Sequence, residues 1–363
     1  MRRRWGRHRR HVLFALVAVG LFFALIEAVL RLGGWATLPA EELFTDAYDI
    51  GYTMRPGAAN PWTDAIEFLN AAGFRGPDTP RERRPGVVRV MCLGDSTTFG
   101  AGVAYEEAYP SVLASLLGAR GMSVEVMNAG IPGSALWKQR VIYENYLRTY
   151  DPDLLVLYTN YGYREDYLRL RLDMERDPLK WSVRRLAARS HIYRLLRLWL
   201  RPPRFAEAVA PSQYDLQRFV VRDADPEVTR QVLAYTNQDL NAVAEACRAD
   251  GCALLVVPLL SRYTFDEAVA RGMRPGPDFY DWHRRNNSSV RVGEAARRAG
   301  IVTLDAAPAF LEASYRERQF RDEVHFTVVG HRLMAELIDA AIAKQGLLDA
   351  VGEKKIAKEP AAQ

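Results

Sequence analysis

The sequence predicts an α/β domain: a parallel sheet covered by helices on both faces, preceded by one membrane-spanning helix. Two patterns predict it. Short apolar runs alternate with helical stretches of 12–20 residues from Val87 onward. Ahead of them, an unbroken apolar run follows an arginine-rich start.

The chain of 363 residues is 49% hydrophobic, enough for a substantial core. Its net charge of +5 is a property of one end. Arg2, Arg3, Arg4, Arg7, Arg9 and Arg10 put +6 into residues 1–11, so the rest of the chain sums to about −1. A nucleic-acid surface would carry its basic charge on the folded domain, so no nucleic-acid partner is predicted.

From Val12 to Leu30 the sequence reads VLFALVAVGLFFALIEAVL, nineteen residues in which only Glu27 is ionisable. A helix rises 1.5 Å per residue, so this run nearly matches a hydrocarbon core of roughly 30 Å. The apolar region of a cleaved signal peptide is shorter and is followed by a small-x-small site. No A-x-A follows closely here, and an uncleaved anchor over 12–32 is predicted. Basic residues precede it, which places the tail 1–11 in the cytoplasm and the domain in the periplasm, on a single-pass inner-membrane protein. Glu27 and Arg31 stand one turn apart and can pair.

Residues 33–86, rich in Pro, Gly and charge and including GFRGPDTPRERRPG, read as a connector. The domain then covers 87–346. Val87–Leu93, apolar but for Arg89, is short and ends at a glycine, which makes it a buried-strand candidate. YPSVLASLLGAR has helical spacing. Val124–Met127 is a second strand, followed by the turn NAGIPGSA and a helix to about Tyr150. LLVLY, Leu154–Tyr158, is the third strand. An insertion over about 162–225 precedes a helix at Pro226–Ala249, strand Ala253–Pro258, a helix at Tyr280–Ala299, strand Ile301–Leu304 and a closing helix from near Thr327. A polar tail covers 347–363.

The insertion is basic: residues 164–204 hold twelve Lys/Arg against five Asp/Glu. Ile192, Leu195, Leu196 and Trp199 follow helical spacing, with Arg194, Arg197 and Arg201 between them. Three readings stand: a lid, an amphipathic helix on anionic lipid beside the anchor, or a helix packed on its own domain with a solvated basic face. Of the three cysteines, Cys92 lies in a core strand. Cys247 and Cys252 are spaced either for a disulfide or as two core thiols. No spacing suggests a metal, and no cofactor is predicted.

In a parallel sheet the chemistry collects at the carboxyl ends of the strands. Four such segments carry candidate residues. Gly94-Asp95-Ser96 follows strand one; by itself, Asp-Ser at this junction reads first as a helix cap. Asn128-Ala129-Gly130 follows strand two, where glycine lets backbone approach a substrate. Asn160 follows strand three. Asp322 and His325, three apart, precede the closing helix, where the carboxylate can fix the imidazole tautomer a general base needs. Among six histidines only His325 has this setting.

Together these blocks resemble the SGNH/GDSL hydrolase family: GDSTTFGAG its first block, NAGIPGS its second and DEVHFTVVGH its last. GFRGP and RVGEAARRAGIVTLD are similar to membrane-anchored bacterial members. The third block departs, reading Tyr-Thr-Asn-Tyr where Gly-x-Asn-Asp is usual. The resemblance implies a flavodoxin-like three-layer sandwich. It implies Ser96 as nucleophile, His325 as base, Asp322 as its orienting acid, and Ser96, Gly130 and Asn160 as oxyanion donors. The expected activity is ester hydrolysis on an O-acylated glycan, a lipid or a small ester. The alternatives are O-acetyl transfer to an envelope polysaccharide and a non-catalytic envelope scaffold.

Overall fold

A computed structural model describes residues 2–33, 54, 56–60, 67, 69–160, 172, 175–188, 190–200 and 226–349. The tail from 350, most of the connector before residue 67, and 161–171 and 201–225 of the insertion lie outside the described residues, as do the side chains of Arg194, Arg197 and Trp199.

Helix α1, Arg2–Leu32, includes a 22-residue apolar stretch, His11–Leu32, with mean hydropathy 2.7. It is long and apolar enough to cross a membrane. The domain begins with β1 (Val88–Gly94), the one-turn α2 (Ser96–Phe99), α3 (Tyr109–Ala119), β2 (Val124–Gly130), α4 (Leu136–Asn145) and β3 (Leu154–Thr159). Two helices of the insertion follow, α5 (Pro178–Ala188) and α6 (His191–Leu200). The chain continues through α7 (Pro226–Asp250), β4 (Ala253–Pro258), α8 (Arg262–Ala270), α9 (Pro277–Asn286), α10 (Val290–Arg298), β5 (Val302–Thr303), α11 (Ala307–Ser314) and α12 (Val328–Gln345).

The five strands pair in parallel in the order β2-β1-β3-β4-β5, the flavodoxin-like order. The strands are apolar on both faces because both faces are covered. Met91 and Leu93 of β1 look into one core with α4, α7 and α10, and Val90 and Cys92 into the other with α3, α8, α9, α11 and α12. The result is a three-layer sandwich with β1 flanked by β2 and β3.

Two expectations need correction. The single helix predicted over Tyr280–Ala299 is two, α9 and α10. Asn287 leaves the helical region at φ −131° because its buried amide serves other backbone: Oδ1 accepts from Ser289 N (2.9 Å) and Nδ2 donates to the Leu259 carbonyl (3.4 Å). The last strand is only Val302–Thr303, a short edge that limits further pairing. Cys92, Cys247 and Cys252 are all buried and free.

The sheet's amino end is closed by Arg89. Its buried guanidinium donates to Glu125 Oε2 (2.8 Å) and to the carbonyls of Tyr150 (2.6 Å) and Pro80 (3.0 Å). Burial tends to raise the Glu125 carboxyl, but Arg89 and Arg84 outweigh it and hold it below its usual range. Removing one partner of such a buried pair strands the other. Arg89→Met is therefore expected to cost about 3–5 kcal/mol, read as a lower denaturant midpoint. The turnover of the folded fraction should be unchanged, because β1 puts about 17 Å between Arg89 and its far end.

Candidate active site

Strand order dictates the site. With β1 between β2 and β3, the turns leaving these three strands meet at one edge. Gly94 pairs with Gly130 across β1 and β2, and Leu93 with Leu157 across β1 and β3. Ser96 opens α2 just past β1, and Asn160 sits just past β3.

Ser96 is indeed at a capped helix start, but the cap is Asp95, whose carboxylate accepts from Thr97 N (2.8 Å). Asp95 is buried; desolvation pushes its carboxyl up against the opposing pull of the Thr97 bond and the nearby His325. It stabilises the turn. The Ser96 N–H itself donates to no group among the described residues.

The Ser96 hydroxyl lies 2.7 Å from His325 Nε2, and His325 Nδ1 lies 2.8 Å from Asp322 Oδ2. The other Asp322 oxygen accepts from the N–H groups of His325 (2.9 Å) and Val324 (3.1 Å). Burial alone would raise the Asp322 carboxyl, yet the bonds from His325 and Val324 prevail and hold it down at about 2. An ionised carboxylate facing Nδ1 fixes the proton on that nitrogen, leaving Nε2 to accept from the serine hydroxyl. The loop carrying Asp322 and His325 is pinned on three sides. Phe320 and Phe326 form an antiparallel bridge, Thr97 Oγ1 donates to the Val324 carbonyl (3.3 Å), and Arg262 N donates to the Glu323 carbonyl (2.9 Å).

Gly130 sits where the sequence places it, at the end of β2, but its N–H already donates to Asn128 Oδ1 (3.1 Å). What the position requires is the absence of a side chain: a Cβ there would lie 2.2 Å from the Phe99 backbone nitrogen. Gly133, three residues on, is exposed at φ +73°, and its N–H has no acceptor among the described residues. Two other histidines are buried and held neutral: desolvation pushes His283 and His331 down to about 3. Among the described residues, no three His, Cys, Asp or Glu side chains cluster so as to hold a metal ion.

One residue at this site is missed by the sequence reading. Arg75, in the segment read as a connector, is fully buried against α2. Nη1 donates to the Phe99 and Gly100 carbonyls, Nη2 to Val103 and Glu67 Oε2, and Nε to Glu67 Oε1, all at 2.8 Å. These contacts use all five guanidinium donors. They satisfy the carbonyls at the end of the helix whose first residue is Ser96. The available signal was the pair of glycines around Phe74-Arg75: Gly73 and Gly76 have φ of +79° and +114°, a backbone path few other residues tolerate.

A parallel α/β sandwich with a serine, an imidazole and a carboxylate joined in series at its strand ends is the arrangement of a hydrolase that acts on acyl groups. The chain belongs to the GDSL-like lipase/acylhydrolase family, whose model matches residues 92–333. Solved structures similar to it include an acetyl xylan esterase, AlAXEase (16% identity, 70% of this chain and 100% of that chain covered, TM-score 0.42). A lipase/acylhydrolase from Enterococcus faecalis is similar at 14% identity, covering 71% and 96%, with TM-score 0.41. Axe2, an acetylxylan esterase from Geobacillus stearothermophilus, is similar at 15%, covering 70% and 94%, with TM-score 0.40. No curated protein sequence matches the chain.

Two outcomes follow from the geometry. Lysine cannot reproduce the guanidinium fork, so Arg75→Lys is expected to lower kcat by about tenfold or more with KM little changed, measured on protein with native near-ultraviolet circular dichroism. The pH profile should show where Asp322 is protonated. Asp322 has a depressed folded value, about 2 against 3.8, so its contribution is fully present above pH 3.8 and lost only as pH falls through about 2. The acid limb of kcat/KM above pH 4 should therefore carry no contribution from Asp322.

Proposed function

We propose that the chain is a membrane-anchored serine esterase acting on the outer side of the cytoplasmic membrane, on ester-bearing envelope glycans or lipids. The single observation that carries this is the unbroken series Ser96 Oγ, His325 Nε2, His325 Nδ1, Asp322 Oδ2, with links of 2.7 and 2.8 Å. The apolar helix His11–Leu32 behind six arginines supports the anchor and its direction.

In this reading Ser96 Oγ attacks the acyl carbonyl as its proton passes to His325 Nε2, and Asp322 stabilises the imidazolium. The tetrahedral oxyanion accepts from the Ser96 N–H and the Asn160 side chain. The glycine turn after β2 supplies a third donor, and it is Gly133 rather than Gly130. The Gly130 amide is already spent on Asn128, whereas the Gly133 amide has no acceptor among the described residues. Each donor of this kind is typically worth roughly 3–4 kcal/mol. The ester C–O bond then breaks, with the His325 proton going to the leaving alkoxide. Water, deprotonated by the same nitrogen, attacks the acyl-Ser96 carbonyl and releases the acid. Half of Asp322 is open to solvent (47% exposed), so the series lies at the surface, within reach of a bulky acylated substrate.

A fluorophosphonate probe checks the assignment. The parent should label and Ser96→Ala should not, while His325→Ala should lose roughly a thousandfold or more in kcat on p-nitrophenyl acetate. Turnover that persists in either variant would overturn the mechanism.

A further inference from the structure

The insertion contains an amphipathic pair of helices turned the wrong way for water. Across Pro178–Leu200 the sequence has six Lys/Arg and no Asp or Glu. On α5, Leu179, Val183 and Leu186 are 75%, 58% and 67% exposed, while Trp181 is buried. At 100° per residue the three share an arc of about 60°, with Trp181 on the opposite side. A helix of a water-soluble domain turns such a stripe inward. On α6, Leu195 and Leu196 are also exposed. Outside α1, six of the nine large apolar side chains exposed among the described residues fall within 172–196, so the exposure is one patch rather than scatter.

The patch is fastened to α1. Glu27 Oε1 accepts from His191 N (2.8 Å), and its Oε2 accepts from Ser190 Oγ (2.8 Å) and Ile192 N (3.1 Å). Arg31 Nε donates to Oε1 as well (2.8 Å). A carboxylate of the anchor thus caps the first turn of α6, and Leu30 on the same face of α1 is buried. Glu27 precedes Leu32, the last residue of the spanning stretch His11–Leu32, by five positions, about 7.5 Å along the axis. Helix α6 therefore starts at the depth where headgroups meet acyl chains.

We propose that α5 and α6 lie in the outer interface of the bilayer beside α1, with their leucines and valine among acyl chains and their basic residues at anionic phosphates. The proposal rests on the anchor reading. Continuity with the spanning helix and the sign of the charge both select a lipid surface as the occupant.

The test uses the full chain in nanodiscs containing phosphatidylglycerol. An environment-sensitive nitrobenzoxadiazole label is placed on Val183→Cys, Leu195→Cys, Phe22→Cys and Ser115→Cys. The native cysteines are buried, and the unsubstituted chain serves as the labelling blank. Labels at 183, 195 and 22 should emit blue-shifted light and lose about half their intensity or more to doxyl lipids, while 115 on α3 should not. Quenching at 22 without quenching at 183 and 195 would overturn the proposal while the anchor stands. Loss of quenching at 22 as well would overturn both. Blue-shifted emission at 183 that ignores doxyl lipid and fades on dilution would assign the stripe to a second copy of the chain, and would equally overturn the proposal. The triple variant Leu179→Asp, Val183→Asp, Leu186→Asp provides a second reading. It should turn over soluble p-nitrophenyl acetate as the parent does, but lose the doxyl quenching at 195.

Discussion

The helix that Ser96 opens is too short to hold itself, and much of the domain is organised around that constraint. Four residues cannot make a stable helix alone, since nucleation costs more than one turn of hydrogen bonds returns. Helix α2 is held from outside at every point. Asp95 takes a donor at its start, and Arg75 takes the Phe99 and Gly100 carbonyls at its end. Thr98 shares a hydrogen bond with the buried Tyr109 of α3 (2.9 Å), and Thr97 reaches the loop of His325. Gly94 and Gly130 let it settle onto the sheet, for a Cβ on Gly94 would lie 1.9 Å from Thr98 Oγ1. The position of one hydroxyl is thus set by strands, helices and a segment far upstream.

Two carboxylates flank the same imidazole and are tuned in opposite directions by their surroundings. Asp322 is half open to water and accepts three hydrogen bonds, so burial is outweighed and it stays ionised. Asp95 is enclosed, and desolvation wins. One carboxylate balances charge on the imidazole, and the other serves the backbone. His283 and His331 are held neutral inside the core by burial.

Much of this was legible in the sequence because it depends on local pattern. Strands β3 and β4 are continuous apolar runs, β1 is broken only by Arg89, and Asp-x-x-His is a spacing within one loop. What was not legible depends on distant partners. Arg75 looked like one more charge in a polar connector, since its acceptors are carbonyls, which every residue has. The break at Asn287 needed the Leu259 carbonyl from the end of the fourth strand. Gly130 was read as a donor, yet its N–H is claimed by a side chain only two residues back. That competition is local, but it is decided by the turn the backbone makes. Helices α8 and α11 were not placed, being short stretches of nine and eight residues between stronger signals.

The Glu67–Arg75 pair also decides where the enzyme begins. The family model starts at residue 92 and the sheet at Val88, but the clamp on the helix of Ser96 lies upstream of both. A chain cut ahead of Glu67 keeps the clamp together with the sheet. A cut between Arg75 and Val88 releases the same sheet and the same serine without the arginine that holds them in register. The choice of scissile bond would then decide whether the helix of Ser96 keeps its clamp.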